Sequence, residues 1–285
     1  MKKKPKIGAH ISVAGGIKRG LERARKMEVE CMQIFSGTPR RYAILFPKNE
    51  ELTLYKESIG EMEDFPVYVH ANYLLNLVSE EKSIRNNSIK SLKETFEFAS
   101  LINARGVVYH PGSPKGGDKE AAIKREIEGV KKVLQEAPSD ILLLIENTAG
   151  KRKIGVTPAE VGHIIKGVGG GNVGACIDTA HSFASGNIIN FKKENIEKWM
   201  NSWKKEVGLS NIKLLHANDS RSDHNSQSDR HENTGEGHIG KEGFLNLMLH
   251  EVLKSVPWIT EAPGFDKKGP DKKNVDILKG IREGI

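Results

Sequence analysis

Eight short apolar runs punctuate this sequence, and the segments between them carry helical periodicity. The runs are Lys6–His10, Cys31–Phe35, Val67–His70, Gly106–His110, Ile141–Glu146, Val173–Asp178, Ile212–His216 and Trp258–Glu261. Rich in Val, Ile, Leu and aromatic residues, they read as buried strands. Between them, Ile17, Leu21 and Ala24 share one helix face, as do Ile123, Ile127 and Val130 to Leu134. Thr157-Pro158-Ala159-Glu160 supplies an N-cap threonine, a proline at the first helical position and a glutamate three residues on. Strand alternating with helix eight times predicts a parallel (β/α)8 (TIM) barrel, with an open doubly wound sheet as the alternative. Such a barrel takes about 250 residues, so a single domain over residues 1–285 uses nearly the whole chain. Gly169-Gly170-Gly171-Asn172-Val173-Gly174 matches a dinucleotide-binding spacing, but it closes a helix and opens a strand. A phosphate-cradling loop needs the reverse order, so this stretch is read as a turn.

What ends the runs is chemically more telling. Seven of the eight close on a side chain able to bind a metal: His10, His70, His110, Glu146, Asp178, His216 and Glu261. With 10 His and 37 Asp plus Glu in 285 residues, chance does not give that density. In a barrel the C-terminal strand ends converge on one mouth, where active sites are built. So many polar groups sharing one mouth would be costly to bury unless ions relieve them. Imidazoles and carboxylates without cysteine suit zinc or manganese. Two spacings extend the cluster. His181 follows Asp178 by three residues, and Asp229 and His231 stand two apart in the polar stretch Ser220–Gly237. In extended chain, i and i+2 side chains point the same way and can grip one ion. A bound ion would order a stretch whose composition otherwise reads as a flexible loop.

The bulk properties fit that picture without determining it. Lys and Arg number 44 against 37 acidic residues, a net charge of +7 that suits a polyanionic partner. No run approaches the roughly 18 apolar residues of a membrane-spanning helix. The basic start Met1–Lys6 leads into Ile7-Gly8-Ala9-His10 rather than an apolar signal core, which predicts a cytoplasmic protein with no membrane association. Cys31 and Cys176 both fall in apolar runs and read as buried, reduced thiols. Two other readings stay open on the residues alone. Glu146, Asp178, His216 and Glu261 by themselves would serve a sugar isomerase or epimerase, although His70, His110, His181 and the Asp229/His231 pair would then have no task. A non-catalytic zinc module would normally be closed and cysteine-rich.

Taken together, the motifs resemble one family closely. Ile7-Gly8-Ala9-His10, His110-Pro111-Gly112-Ser113, Ile145-Glu146-Asn147-Thr148-Ala149-Gly150, Cys176-Ile177-Asp178-Thr179-Ala180-His181, His216-Ala217-Asn218-Asp219-Ser220, and Asp229-Arg230-His231 through Gly235-Glu236-Gly237-His238-Ile239-Gly240 are similar to the successive signatures of endonuclease IV, in order and along essentially the full chain. The resemblance implies a monomeric, zinc-dependent deoxyribonuclease on a (β/α)8 barrel with its metal cluster at the C-terminal face. It implies three zinc ions: one held by His70, His110 and Glu146, a second by Glu146, Asp178, His216 and Glu261, and a third by His181, Asp229 and His231. Glu146 and Glu261 would carry catalytic roles as well. The implied substrate is double-stranded DNA, cut 5′ to abasic sites to leave a 3′-hydroxyl and a 5′-deoxyribose phosphate, together with blocked 3′ ends that are trimmed. The nucleophile would be a metal-bound hydroxide, since zinc can bring the pKa of bound water from 15.7 to about 7. Arg40, Tyr73 and Leu74 match positions that enter or press on the duplex. Tyr42, rather than a tryptophan, follows Gly37-Thr38-Pro39-Arg40-Arg41 here.

Overall fold

The computed structural model describes residues 4–285; Met1, Lys2 and Lys3 of the basic start lie outside them. Eight parallel strands close into a barrel: β1 (Ile7–His10), β2 (Cys31–Phe35), β3 (Val67–His70), β4 (Gly106–Tyr109), β5 (Leu142–Glu146), β6 (Val173–Asp178), β7 (Ile212–His216) and β10 (Trp258–Thr260). They neighbour one another in the order β1-β10-β7-β6-β5-β4-β3-β2, so the doubly wound alternative is excluded. The outer helices are α1 (Ile17–Lys26), α2 (Asn49–Gly60), α3 (Lys82–Leu101), α4 (Lys119–Leu134), α5 (Pro158–Val168), α6 (Thr179–Ala184), α7 (Lys193–Glu206), α8 (Gly240–Leu249) and α9 (Lys272–Glu283). A hairpin of β8 (Asp219–Ser220) and β9 (His231–Glu232) lies within the stretch that composition marks as loop. No helix among the described residues is long and apolar enough to cross a membrane.

Helix ends follow local chemistry. Thr157 Oγ1 accepts from the Glu160 N–H at 3.2 Å, and Glu160 Oε2 accepts from the Val156 N–H at 2.8 Å, so α5 begins with reciprocal capping. Gly169, at φ 67°, ends it, and β6 starts at Val173, which makes the glycine-rich stretch a turn.

Strand alternation builds the barrel interior in two tiers. Cys31, Tyr68, Val108, Leu144, Cys176, Leu214 and Ile259 form a plug, all between 0% and 4% exposed. Two residues further along each strand, on the same inward side, stand Gln33, His70, His110, Glu146, Asp178, His216 and Glu261. The eighth strand contributes Gly8 and His10. A side chain at Gly8 would come within 2.2 Å of the Cys31 carbonyl oxygen, so the plug has no room for one there. The apolar tier therefore forms the floor of a polar tier.

One buried acid does not belong to that tier. Glu126 faces inward from α4 among Ala122, Val130 and Val133 and is fully buried. The Tyr109 hydroxyl and Gly112 N–H approach its carboxyl, yet neither reaches full hydrogen-bond geometry. Burial outweighs both and pushes the acid from its ordinary 4.5 up to about 7. The neutral form suits the fold, so this contribution is complete below pH 4.5 and is lost as pH rises through 7. The full span corresponds to about 3 kcal/mol. Chemical denaturation of Glu126→Gln across pH 5 to 8 should therefore show a flatter profile than the parent. Parallel curves would place the acid's pKa near its ordinary value.

Candidate metal centre

The polar tier gathers side chains from every barrel strand, and Glu146 sits at its middle. His70 Nε2 and His110 Nε2 stand 3.2 and 3.1 Å from Glu146 Oε2, while His181 Nδ1 and His216 Nδ1 stand 3.2 Å from Oε1. His216 Nδ1 is also 3.4 Å from Glu261 Oε2. To one side, His181 Nε2 lies 3.0 Å from Asp229 Oδ2, and His231 Nε2 lies 3.3 Å from Asp229 Oδ1. All nine side chains expected as ligands are thus assembled at one mouth.

Imidazole and carboxylate donors form three compact sets within 4.8 Å, His70, His110 and Glu146; Glu146, Asp178, His216 and Glu261; and Asp178, His181 and His231; a fourth set joins Cys176 to Glu146 and His216. Asp229 reaches the third set through its contacts with His181 and His231. Asp178 belongs to two sets, its Oδ2 lying 3.8 Å from His231 Nε2. Two carboxylates are therefore shared between neighbouring sets, where the sequence suggested only Glu146.

These spacings suit bound metal ions. Ligands of one tetrahedral zinc, each 2.0–2.1 Å from the ion, stand roughly 3.3 Å apart. Glu146 Oε1, His181 Nε2, His216 Nδ1 and His231 Nε2 are buried without a properly oriented hydrogen-bond partner among the described residues. Buried polar atoms left that way are costly, and a cation among them removes the cost. Electrostatics point the same way. Burial alone would raise Glu146, but His110 and His216 hold it well below the usual carboxylate range. Burial would lower His231, but Asp229 and Asp178 reverse that and raise it to about 9.

A second set of side chains aims the first. His70 Nδ1 donates to the Ala71 carbonyl at 2.6 Å, leaving Nε2 for the centre. His181 Nδ1 contacts the Asn147 backbone carbonyl at 2.8 Å, Asn147 Oδ1 accepts from the Asp178 N–H at 2.7 Å, and His216 Nε2 meets Gln33 Oε1 at 2.9 Å. Gln33 Nε2 also donates to Glu261 Oε1 at 2.8 Å, and Asn218 Nδ2 donates to Asp178 Oδ2 at 2.6 Å and Glu261 Oε2 at 3.1 Å. Asp178 doubles as the N-cap of α6, accepting from the His181 N–H at 2.7 Å. Gln33, Asn147 and Asn218 were missed in sequence because amides do not register as metal-binding residues. Their signal was position: Asn147 and Asn218 follow ligand candidates within two residues, and Gln33 shares the inward side of β2. His10 sits at the flank, 3.2 Å from Glu261 Oε1, its ring tilted at 47° to that of Phe35 with centroids 4.3 Å apart. Cys176 Sγ also approaches Glu146 and His216, but burial pushes this thiol up to about 12, so it stays protonated.

At the rim, Tyr73 and Leu74 are 55% and 40% exposed. The Tyr73 ring lies 5.9 Å from that of His110 and 5.6 Å from that of His70. Tyr73 N–H donates to the Pro39 carbonyl at 2.9 Å and Tyr42 Oη to the Leu74 carbonyl at 3.0 Å, which ties the loop bearing Arg40 to the one bearing Tyr73. Arg40 and Arg41 are both exposed.

This combination defines a class: a (β/α)8 barrel with clustered metal-binding side chains at the C-terminal ends of its strands. The family described as xylose isomerase-like TIM barrel matches residues 21–283. The chain is 34% identical to the probable endonuclease 4 of Halothermothrix orenii, over 96% of this chain and 99% of that one. It is 36% identical to the probable endonuclease 4 of Aquifex aeolicus, over 96% and 97%. The crystal structure of endonuclease IV from Thermus thermophilus superposes with a TM-score of 0.85 at 28% identity, covering 99% of this chain and 100% of that one. A D-tagatose 3-epimerase-like protein shares the fold at a TM-score of 0.74 and 22% identity. The chain belongs to the endonuclease IV family of nucleases.

Proposed function

We propose that this chain repairs DNA by cutting the backbone 5′ to abasic sites, leaving a 3′-hydroxyl and a 5′-deoxyribose phosphate, and by trimming blocked 3′ ends. The observation that carries this reading is the convergence of eight further candidate ligands around Glu146 at the barrel mouth. His70, His110 and Glu146 would hold one zinc ion, Glu146, Asp178, His216 and Glu261 a second, and His181, Asp229 and His231 a third. When bound, the ions supply Lewis-acid activation of water and neutralise phosphate charge. The reading includes a monomeric barrel domain over residues 1–285, working in the cytoplasm.

The chain's own residues set up the reaction. Glu146 Oε1 and Glu261 Oε2 stand 3.2 and 3.4 Å from His216 Nδ1, so that either carboxylate is placed to take a proton from an attacking water. Gln33, His10 and Asn218 hold Glu261 in that direction. Arg40, with Arg41 beside it, supplies positive charge next to the mouth. Tyr73 and Leu74 stand where they can fill the gap that an abasic nucleotide leaves in the stack. Lacking a base, that nucleotide also costs less to extrude than an intact one.

The test is a duplex carrying one abasic analogue, beside an intact duplex and one with a blocked 3′ end. The parent should incise the first, and its binding should weaken with salt at roughly 0.9 counterions per neutralised phosphate. Tyr73→Ala, Leu74→Ala should keep its zinc, lose discrimination between abasic and intact duplex, and suffer less on the blocked end. A flat salt response with ketose–aldose turnover would favour the sugar-enzyme reading. Equal loss on both substrates with a lowered melting temperature would reduce Tyr73 and Leu74 to packing residues.

A further inference from the structure

We infer that Asp219, outside the nine ligand candidates, is the positioning residue that holds the Asp229–His231 arm over the third metal site. The inference rests on the zinc assignment proposed above.

The arm has little of its own to keep it in place. It leaves the barrel at β8, runs through polar residues and returns at β9, where Asp219 pairs with Glu232 and Ser220 with His231. A two-stranded hairpin is marginal in water at best, and this ladder has only two residue pairs. Yet it decides where His231 Nε2 and the Asp229 oxygens meet His181.

Asp219 supplies the missing anchor. Its carboxylate is buried and accepts from five backbone N–H groups. Oδ1 takes Ser220 and Ile239, each at 2.9 Å. Oδ2 takes Gly235 at 2.8 Å, Gly237 at 3.1 Å and Gly240 at 3.2 Å. Hydrogen bonds to an ionised acceptor are the strong ones, and these draw residues 235–240 against β8. The local sequence is shaped for this convergence. Gly235 and Gly240 have φ of 87° and 67°, in the left-handed region. A Cβ at Gly237 would lie 2.5 Å from Asp219 Oδ1. The His238 N–H then donates to the Ser220 carbonyl at 2.8 Å, fixing the residue that pairs with His231. At the far end, the Asn225 and Gln227 N–H groups donate to the Phe183 and Ala184 carbonyls of α6, the helix that carries His181. With its tip tied to α6, the arm is fixed at its base by Asp219, while Asn274 of α9 takes the Thr234 N–H at 2.8 Å just beyond β9.

Asp219→Asn keeps the shape but offers one acceptor oxygen and turns an amide NH2 toward N–H groups. Zinc content, zinc affinity, hydrogen exchange in residues 221–232, melting temperature and incision should be measured for this variant and the parent. The parent should hold three zinc ions and the variant two, with the third rebinding about 10–100-fold more weakly, as for residues that orient ligands. Excess zinc should restore incision, which a general folding defect would not allow. In the chelated proteins, exchange in 221–232 should be faster in the variant while barrel amides stay protected. Gly237→Ala, whose methyl group would press on Asp219 Oδ1 from the loop side, should give the same local signature while leaving the carboxylate chemically intact. An unchanged third zinc affinity in Asp219→Asn, with unchanged exchange, overturns the role given to Asp219. A parent with fewer than three zinc ions overturns the zinc assignment instead, and exchange in the chelated proteins then decides on Asp219 alone.

Discussion

Glu146→Gln should leave the barrel folded and abolish incision, a loss of about 4 kcal/mol or more of transition-state stabilisation, or about 10³-fold in rate. Four imidazoles approach the two oxygens of this one carboxylate. An amide keeps the shape, removes the charge and turns two N–H donors toward nitrogens that need a cation or an acceptor. Zinc content should fall with turnover, because the residue belongs both to the His70–His110 set and to the set of Asp178, His216 and Glu261. Elemental analysis, circular dichroism and single-turnover incision on one preparation provide the check. Full metal loading with near-normal turnover would remove Glu146 from the centre.

Stripping the protein with a chelator should have the second largest effect. Incision should vanish, return on adding zinc, and need no magnesium. Melting temperature should fall with it, since a ligand at 1,000 times its dissociation constant adds about 4 kcal/mol to folding stability. The buried imidazoles and carboxylates would then be left with imperfect ion pairs and several unpartnered atoms. Equal melting temperatures with and without chelator, together with retained incision, would show that the cluster works without bound ions.

Much of this architecture is legible in the sequence. Strand β6 begins and ends where its apolar run does, at Val173 and Asp178, because a strand buried on both faces shows as an unbroken hydrophobic block. His110 and Glu261 fall one residue beyond their strands, a shift that leaves their inward direction unchanged. Six of the nine ligand candidates, His70, His110, Glu146, Asp178, His216 and Glu261, could be picked out because His, Asp and Glu at strand ends are rare enough to register, and His181, Asp229 and His231 by their short spacings. Gln33, Asn147 and Asn218 were hidden for the opposite reason: neutral amides are ordinary in loops and strands, and their importance lies in partners far away in sequence. Gln33, for example, meets His216 across 183 residues. The ligand spacing argued for order in Ser220–Gly237, but the anchor of that stretch stayed hidden. Its composition is that of a flexible loop, but a single aspartate and three glycines turn its backbone N–H groups inward, an arrangement no composition reveals.

The apolar tier beneath the ligands has a consequence for traffic through the molecule. With Gly8 pressed on Cys31, and Tyr68, Val108, Leu144, Cys176, Leu214 and Ile259 filling the remaining space, the barrel is a cup and not a tube. Anything that enters or leaves the polar tier passes through the rim, beside Tyr73 and Leu74. If the proposed function holds, a duplex lying across that rim would cover this doorway, and ions held below it would exchange only once the cut strand is released.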